Sequence, residues 1–360
     1  MKVCLAGKSD IAIAILDTVL ETRASADVVV LPNRTDTGED GWQPSLIKAA
    51  HRRGLRIVRP EAVQDTGELL FLSLEYDRLI DPERFRSRRL YNIHFSLLPK
   101  YRGVYTSVWP ILNGEIESGV TLHVIDAGID TGDIVSQHRF PLDASDTARD
   151  LYMKYHAAGI ELVRAHLPIL MDGDPVATPQ PAIGASYYSR SSLDFERITI
   201  DLRKTAWEIH NQIRAFVFRE YQLPTVMGCA VTGSRILDAR SRGRAGTVIE
   251  QTLGSITLRT VDFDLLVFKD VLPQVMALCD QGRAEELKRY LPHLRSADER
   301  DRSGRTPLMA AARAGSVEAV EMLVDRGASV RARDHQLVGV FGHARGAARE
   351  WLRERAGDER

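Results

Sequence analysis

The sequence predicts an α/β protein that begins with an open sheet and continues into a small β-rich domain and a helical module. Three observations support this prediction. Short apolar runs alternate with amphipathic stretches early in the chain, strand-like runs separated by glycines and charged turns follow between residues 225 and 268, and helical periodicity dominates from about residue 274. A chain of 360 residues exceeds one average domain, so two or three units are expected.

The first part of the chain consists of successive strand and helix signals. Continuous apolar runs, typical of buried parallel strands, predict strands at residues 2–6, 27–31, 55–58 and 69–74. Alternation predicts one more strand at residues 119–125. Amphipathic periodicity predicts helices at residues 11–20, 44–53, 104–112 and 144–170. By this count, the polar run that starts at Asn92 lies at the carboxyl end of a central strand, where open α/β sheets bind ligands.

Two polar side chains flank an apolar one in the run Asn92-Ile93-His94. On an extended strand, Asn92 and His94 face the same side of the sheet while Ile93 packs behind them. An amide beside an imidazole forms a donor pair suited to a developing oxyanion, and a nearby carboxylate can orient the ring or accept a proton. Asp130, in the run Ile-Asp-Thr-Gly-Asp, is the candidate carboxylate.

The strand is followed by the turn Ser-Leu-Leu-Pro and then by three residues with basic or aromatic side chains, Lys100, Tyr101 and Arg102. Their positive charge and aromatic face lie beside the donor pair. We therefore expect an anionic substrate.

The order of these motifs resembles the family of enzymes that transfer a formyl group from N10-formyltetrahydrofolate. The family includes methionyl-tRNA formyltransferases, glycinamide ribonucleotide transformylases and sugar-nucleotide N-formyltransferases. The resemblance covers roughly residues 1–270, and implies a Rossmann-like catalytic domain with Asn92, His94 and Asp130 as its catalytic triad. The continuation from Gly103 to Gly114 looks most like the branch that acts on dTDP-linked amino sugars.

The same resemblance implies the remaining contacts. The pterin of N10-formyltetrahydrofolate is expected near Leu79, Ile80, Ile125 and Asp126. The sugar nucleotide is expected at Lys100, Tyr101, Arg102, Tyr105 and Thr106. In the resembling sugar-nucleotide enzymes, the stretch 214–224 reaches back over the active site, so Arg214 is expected to pair with a diphosphate and Phe216 or Tyr221 to stack on a base. No metal is expected.

The C-terminal part carries a helical repeat. Residues 305–330 open with Thr-Pro-Leu, close on a Gly-Ala turn and resemble an ankyrin repeat, with Met309 where the repeat normally has His. Because repeat helices need neighbours to cover their apolar faces, residues 275–291 and 336–353 are expected to form degenerate flanking repeats. The predicted domains are therefore a catalytic domain at residues 1–180, a small β-rich domain completing the nucleotide-sugar site at 181–272, and an ankyrin-like module at 273–360.

The composition limits the partners and the compartment. The formal net charge of −1, with both signs interspersed, does not indicate a surface for polyanions, so no nucleic-acid partner is expected. The three cysteines, Cys4, Cys229 and Cys279, lie far apart, which argues against zinc ligation and a disulfide framework. No apolar run resembles a signal peptide or a membrane span. We expect a cytoplasmic protein without a membrane partner. A homodimer is the oligomeric state that we consider.

The leading hypothesis is formyl transfer to the amine of a dTDP-linked amino-dideoxyhexose, with 3-amino-3,6-dideoxyhexose favoured, for O-antigen or other surface glycan synthesis. One alternative is a methionyl-tRNA formyltransferase. The tail from residue 271 disfavours it, because its 16 Lys and Arg against 14 Asp and Glu provide little positive charge for tRNA. The other alternative is an ankyrin-type protein-binding module attached to a vestigial transferase domain. The intact triad and the basic and aromatic turn argue against it, because a vestigial domain has no reason to keep them. His123, in the middle of an alternating strand, is expected to be a packed or surface residue without a ligand contact.

Overall fold

The computed structural model describes residues 1–356. They divide into two compact units, the first Met1–Phe195 and the second beginning at Glu196. Residues 357–360, the end of the predicted ankyrin-like module, lie outside the described residues. The division into three domains with boundaries after residues 180 and 272 stays a prediction.

The first unit is built on a seven-stranded sheet in the order β3-β2-β1-β4-β5-β7-β8. Strands β1 to β5 are parallel, whereas β7 and β8 are antiparallel to their neighbours. A separate parallel pair is formed by β6 and β9. The strands are β1 (Lys2–Gly7), β2 (Val28–Pro32), β3 (Arg56–Ile57), β4 (Leu69–Leu74), β5 (Leu90–His94), β6 (Arg102–Gly103), β7 (Glu117–Val124), β8 (Ile134–Pro141) and β9 (Tyr187–Tyr188).

The central strands are apolar because the sheet is covered on both faces. Every residue of β4 is buried, as is every residue of β1 after Lys2. From β1 the chain first adds β2 and β3 on one side of the sheet and then crosses to add β4 and β5 on the other, so the strand order reverses beside β1. Open sheets bind ligands beyond the carboxyl ends of their strands near such a reversal, and Asn92 and His94 lie at that end of β5.

Five α-helices belong to the first unit. They are α1 (Ser9–Leu20), α2 (Leu46–Arg52), α3 (Glu61–Gln64), α4 (Trp109–Leu112) and α5 (Ala148–Asp172). The long helix α5 begins at a capping box in which the Thr147 side chain accepts from the Asp150 amide. Gly159 on α5 lets the helix approach the sheet, because a Cβ there would lie 2.9 Å from Ile11 and 3.5 Å from Phe95.

One prediction about this unit was wrong in detail, and one strand was not predicted. The helix predicted at residues 104–112 is only the four-residue α4. The Val104 amide donates instead to the Tyr188 carbonyl oxygen, and Tyr105 has a φ of 61°, so this backbone forms a turn. Strand β8 was not predicted, because most of its side chains are partly exposed and polar residues dominate its centre.

The second unit begins with a helix and a five-stranded antiparallel sheet in the order β10-β11-β14-β13-β12. Apolar side chains of the helix, including Ile209 and Ile213, form a buried cluster with Val231, Leu265 and Val267 of the sheet. The small β-rich part of the predicted fold is therefore confirmed. The elements are α6 (Ala206–Phe216), β10 (Thr225–Val226), β11 (Cys229–Arg240), β12 (Val248–Gln251), β13 (Ser255–Leu258) and β14 (Phe263–Lys269).

Helices form the rest of the second unit, as predicted. Their core contains side chains from successive helices, among them Val275, Leu287, Leu308, Val320 and Leu352. The helices of this region are α7 (Leu272–Asp280), α8 (Ala284–Tyr290), α9 (Pro307–Ala314), α10 (Val317–Asp325), α11 (Val340–His343) and α12 (Gly346–Ala356).

Thr306 caps the central repeat. Its hydroxyl oxygen accepts from the Met309 amide at 3.4 Å, and Thr306 is fully buried at the start of α9. The helix ends at Gly315, whose left-handed φ of 77° favours glycine.

We expect Thr306→Ala to lower the free energy of unfolding by about 1 kcal/mol, because a buried amide at the helix N-terminus loses its acceptor. Urea unfolding followed by circular dichroism measures the change. Thr225→Ala, at an exposed threonine of β10, is the matched control. A Thr306→Ala variant as stable as this control would contradict the proposed capping role.

Candidate active site

The register between β5 and β7 determines which polar side chains share one face of the sheet. Asn92 pairs with His123, and His94 pairs with Thr121. Directly opposed residues of an antiparallel pair point to the same face. Asn92, His94 and His123 therefore lie together at the carboxyl end of β5, where His94 is 7% exposed and His123 is 3% exposed.

Asp130 returns to this surface from the loop between β7 and β8. Its Oδ1 lies 3.5 Å from His94 Nδ1 and accepts from Asn92 Nδ2 at 3.4 Å. Its Oδ2 accepts from the Gly103 amide at 2.9 Å. The three residues predicted from the motifs thus form one cluster, and the Gly103 amide ties it to the turn that follows β5.

The His94 ring faces oxygen atoms on both sides. Its Nε2 lies 2.8 Å from the carbonyl oxygen of Tyr101, so this nitrogen donates, and Nδ1 faces the Asp130 carboxylate. A doubly protonated ring is a donor to both oxygens. The Tyr101 carbonyl oxygen and the Asp130 carboxylate thus fix the orientation of the ring at the carboxyl end of β5.

The charge of Asp130 follows from its surroundings. Burial acts to raise the pKa of Asp130, but the charge of His94 and the hydrogen bond from the Gly103 amide outweigh it. The pKa is therefore held well below its usual range, and the carboxylate is ionised at neutral pH.

His123 belongs to this cluster, although the sequence indicated a packed residue. Its Nδ1 donates to the Val124 carbonyl oxygen at 2.8 Å, which leaves Nε2 of the neutral ring to accept from Asn92 Nδ2 at 3.0 Å. The same Nε2 lies 3.6 Å from Asp130 Oδ1. In the sequence, His123 and Thr121 alternate with apolar residues and so share one face of their strand. This alternation would have revealed His123 only if its pairing with Asn92 had been known.

We expect His123→Leu to lower kcat for the expected formyl transfer about 10-fold, because the Asn92 amide loses an acceptor that orients it. His123→Gln keeps an acceptor and should retain most of the activity. Steady-state kinetics of both variants measure the difference. His138→Leu, at a more exposed histidine on β8, serves as the control, and equal rates for the Leu and Gln variants of His123 would contradict this role.

The basic and aromatic turn after β5 is held by partners within the first unit. Lys100 Nζ pairs with Glu115 at 2.8 Å, and the Tyr101 hydroxyl donates to the same carboxylate at 2.8 Å. The Arg102 guanidinium donates to Gln180 at 2.7 Å. These contacts fix the side chains beside the cluster, and their predicted contact with substrate stays a prediction.

Tyr105 and Thr106 follow on the same turn. The Tyr105 ring lies edge-on to Phe195 at 4.9 Å between centroids. The Thr106 carbonyl oxygen accepts from the buried Tyr155 hydroxyl at 3.1 Å, which anchors the turn to α5. Both side chains are partly exposed.

The residues expected near a pterin fall into two groups. Ile80 and Ile125 both pack against one apolar cluster that contains Phe71 and Phe85, so residues distant in sequence lie on one core. Leu79 is 80% exposed. Asp126 shapes the loop that carries Asp130, since its carboxylate accepts from the Thr131 hydroxyl at 2.7 Å.

The second unit holds the last three predicted residues. Arg214 is 2% exposed, and its Nε donates to Asn211 Oδ1 at 2.9 Å. Phe216 is buried at the end of α6, and the half-exposed Tyr221 stacks on Phe218 at 4.8 Å. Their role in holding a nucleotide stays a prediction.

Within residues 1–356, no group of three or more His, Cys, Asp or Glu side chains is arranged to hold a metal ion. In the same part of the chain, no helix combines the length and the apolar character that crossing a membrane requires.

Comparisons with known proteins match this architecture. A family model described as Formyl transferase matches residues 62–166, and an Ankyrin repeat model matches residues 303–335. Methionyl-tRNA formyltransferase from Staphylococcus epidermidis is 27% identical over 76% of this chain and 91% of its own length. The Neisseria meningitidis serogroup A enzyme of that name is 33% identical over 60% of this chain and 74% of its own length.

Two solved structures are similar over nearly their whole length. One is the N-formyltransferase from Helicobacter canadensis in complex with folinic acid and dTDP-3-aminofucose, at 39% identity and a TM-score of 0.71, covering 75% of this chain and 99% of that one. The other is WlaRD, a sugar 3N-formyl transferase in the presence of dTDP and 5-N-formyl-THF, at 41% identity and a TM-score of 0.71, covering 75% and 98%. The chain therefore belongs to the formyl transferase family and carries an ankyrin repeat at its C-terminal end.

Proposed function

We propose that this enzyme transfers a formyl group from N10-formyltetrahydrofolate to the amine of a dTDP-linked amino-dideoxyhexose. The observation that carries the proposal is the cluster of Asn92, His94 and Asp130 in a chain about 40% identical to two sugar N-formyltransferases across their whole length. One of these was solved with a folate and an amino-sugar nucleotide, the other with a formyl-folate and dTDP.

Within this class, we propose a 3-amino-3,6-dideoxyhexose as the acceptor sugar. The support is that one similar structure holds dTDP-3-aminofucose and the other is described as a sugar 3N-formyl transferase. The place of the product in O-antigen or other surface glycan synthesis, and a cytoplasmic location, are parts of the same proposal. The free thiols of Cys4, Cys229 and Cys279 are consistent with a reducing compartment.

In the proposed reaction, the unprotonated sugar amine attacks the formyl carbon. The Asn92 amide and the protonated His94 ring stabilise the negative charge that develops on the formyl oxygen. The ionised Asp130 carboxylate holds the His94 ring, and it helps the proton to leave the attacking nitrogen. When the tetrahedral adduct collapses, the carbonyl re-forms and the bond from the formyl carbon to N10 breaks. N10 takes up the proton that the sugar nitrogen gives up, so the products are the formylated sugar and tetrahydrofolate.

The residues near the cluster are compatible with a folate donor. Leu79 offers an exposed apolar side chain next to Ile80 in sequence, and Ile80 shares an apolar core with Ile125 at the start of the Asp130 loop. An apolar surface beside loop backbone groups suits a planar ring with hydrogen-bonding edges. We propose that Leu79, Ile80, Ile125 and Asp126 contact the pterin.

A methionyl-tRNA acceptor is the second candidate, because curated relatives of that name match much of the chain. The near balance of charge in the tail from residue 271 argues against it, since phosphate contacts dominate affinity for tRNA.

The test is to mix the protein with N10-formyltetrahydrofolate and a panel of dTDP-amino sugars, with mass spectrometry to detect one added formyl group. We expect the 3-amino-3,6-dideoxy sugars to react at a rate that depends little on salt. Charged tRNA is assayed in parallel. Formylation of the tRNA with every sugar unmodified would overturn the acceptor, and formylation of a 4-amino sugar alone would overturn the position of the amine.

A further inference from the structure

The first unit ends in a segment that joins the two halves of the candidate site. We name residues 178–188 the strap. At one end, the Thr178 amide and carbonyl both pair with Ile134, at the start of β8. At the other end, the Arg102 amide donates to the Ser186 carbonyl oxygen at 2.9 Å. The strap therefore runs from the strand after the Asp130 loop to the turn after His94.

Gln180 on the strap uses both ends of its side-chain amide. Its Oε1 accepts from Arg102 Nη2 at 2.7 Å and from Nε at 3.2 Å. Its Nε2 donates to the carbonyl oxygen of Asp130 at 2.9 Å and to that of Gly132 at 2.8 Å. The oxygen of the Gln180 amide thus binds Arg102 on the turn after β5, and the nitrogen binds two backbone carbonyls of the Asp130 loop.

The Asp130 loop needs such support. Asp130 has a φ of 55°, in the left-handed region that residues other than glycine adopt infrequently, with aspartate among those that do. Such a conformation persists only where the surroundings hold it. The Gly103 amide fixes the Asp130 carboxylate, and the Gln180 amide fixes the backbone of the same residue.

We propose that Gln180 is a positioning residue, whose side-chain amide holds the Asp130 loop so that the Asp130 carboxylate meets the His94 ring. Gln180 acts through Asp130 and touches no reacting atom. The kinetic part of this proposal rests on the proposed formyl transfer.

Two substitutions separate the donor end of Gln180 from its acceptor end. Gln180→Glu keeps an oxygen for Arg102 but turns the second oxygen toward the carbonyls of Asp130 and Gly132, which have no proton to offer. Gln180→Ala removes both ends. If only the Arg102 contact mattered, the Glu variant would be nearly normal and the Ala variant impaired.

Because the proposed role lies at the donor end, we expect both variants to lose roughly 10- to 100-fold in kcat, with Gln180→Glu affected at least as strongly as Gln180→Ala. The KM for the amino sugar should change by less than about 3-fold in Gln180→Glu, since Arg102 keeps its partner. Ile183→Ala, at a strap residue that is 92% exposed, is the control and should keep its kcat.

A second measurement does not depend on turnover. The ¹⁵N chemical shifts of the His94 ring report its contact with Asp130, and they are assigned by comparison with His94→Ala. We expect Gln180→Glu to move these shifts toward those of Asp130→Asn, with the overall fold retained by circular dichroism.

The outcomes separate this proposal from the acceptor assignment. If the wild-type protein formylates none of the sugars but Gln180→Glu still moves the His94 shifts, the acceptor is wrong and the role of Gln180 stands. If the His94 shifts in Gln180→Glu match the wild type, the role of Gln180 is overturned, whatever happens to kcat. A wild-type kcat in Gln180→Glu overturns it as well.

Discussion

His94→Ala should lower kcat/KM for formyl transfer by roughly 10³-fold, because the variant removes a charged donor beside the developing oxyanion. The ring is nearly buried between the Tyr101 carbonyl oxygen and the Asp130 carboxylate. Water that enters the space left by the ring is not held in this orientation. The KM for the sugar nucleotide should change little, since the interaction that is lost stabilises the transition state and not the bound substrate.

The measurement is the initial rate of formyl addition by mass spectrometry, with the thermal midpoint of each variant as a check on folding. His138→Ala is the matched control, because His138 lies on β8 and is 38% exposed at its side chain. A His94→Ala rate within about 3-fold of this control would remove His94 from the proposed mechanism.

Asp130→Asn should lower kcat by roughly 10²- to 10³-fold. The asparagine keeps the shape of the side chain, but it has no charge to hold an imidazolium and cannot accept the proton. Asp133→Asn, at an exposed residue of the same loop, is the control for changes in the loop itself.

Between about pH 5 and 9, titration of Asp130 should not contribute to the pH dependence of the wild-type rate. Burial acts to raise the pKa of Asp130, but the charge of His94 and the Gly103 amide outweigh it and hold the pKa well below the usual range of about 4. A carboxylate with a lowered pKa stays ionised above that range, so the wild type carries the charge throughout this window. A side-chain carboxyl ¹³C chemical shift of Asp130 that moves as the pH falls from 7 to 5 would indicate instead that Asp130 takes up a proton there.

Several features followed from the sequence because they depend on neighbouring residues. The alternation in Asn92-Ile93-His94 predicted the shared face, and the continuous apolar runs predicted the buried parallel strands, since both patterns arise within one element. The Thr-Pro-Leu opening and the Gly-Ala turn predicted the central ankyrin-like helices for the same reason.

Only the tertiary structure determined which distant residues meet these elements. His123 joins Asn92 because β7 pairs with β5 in one register, and a shift of one residue would turn His123 to the opposite face. The helix predicted over residues 104–112 gave way to a turn because the strap supplies the Tyr188 carbonyl oxygen to the Val104 amide. Gln180, in a stretch that the sequence indicated as a domain boundary, meets Asp130 by the same return of the chain. Local patterns thus predicted most of the elements and the three residues Asn92, His94 and Asp130, whereas the contacts that His123 and Gln180 make with them depend on pairing between segments far apart in the chain.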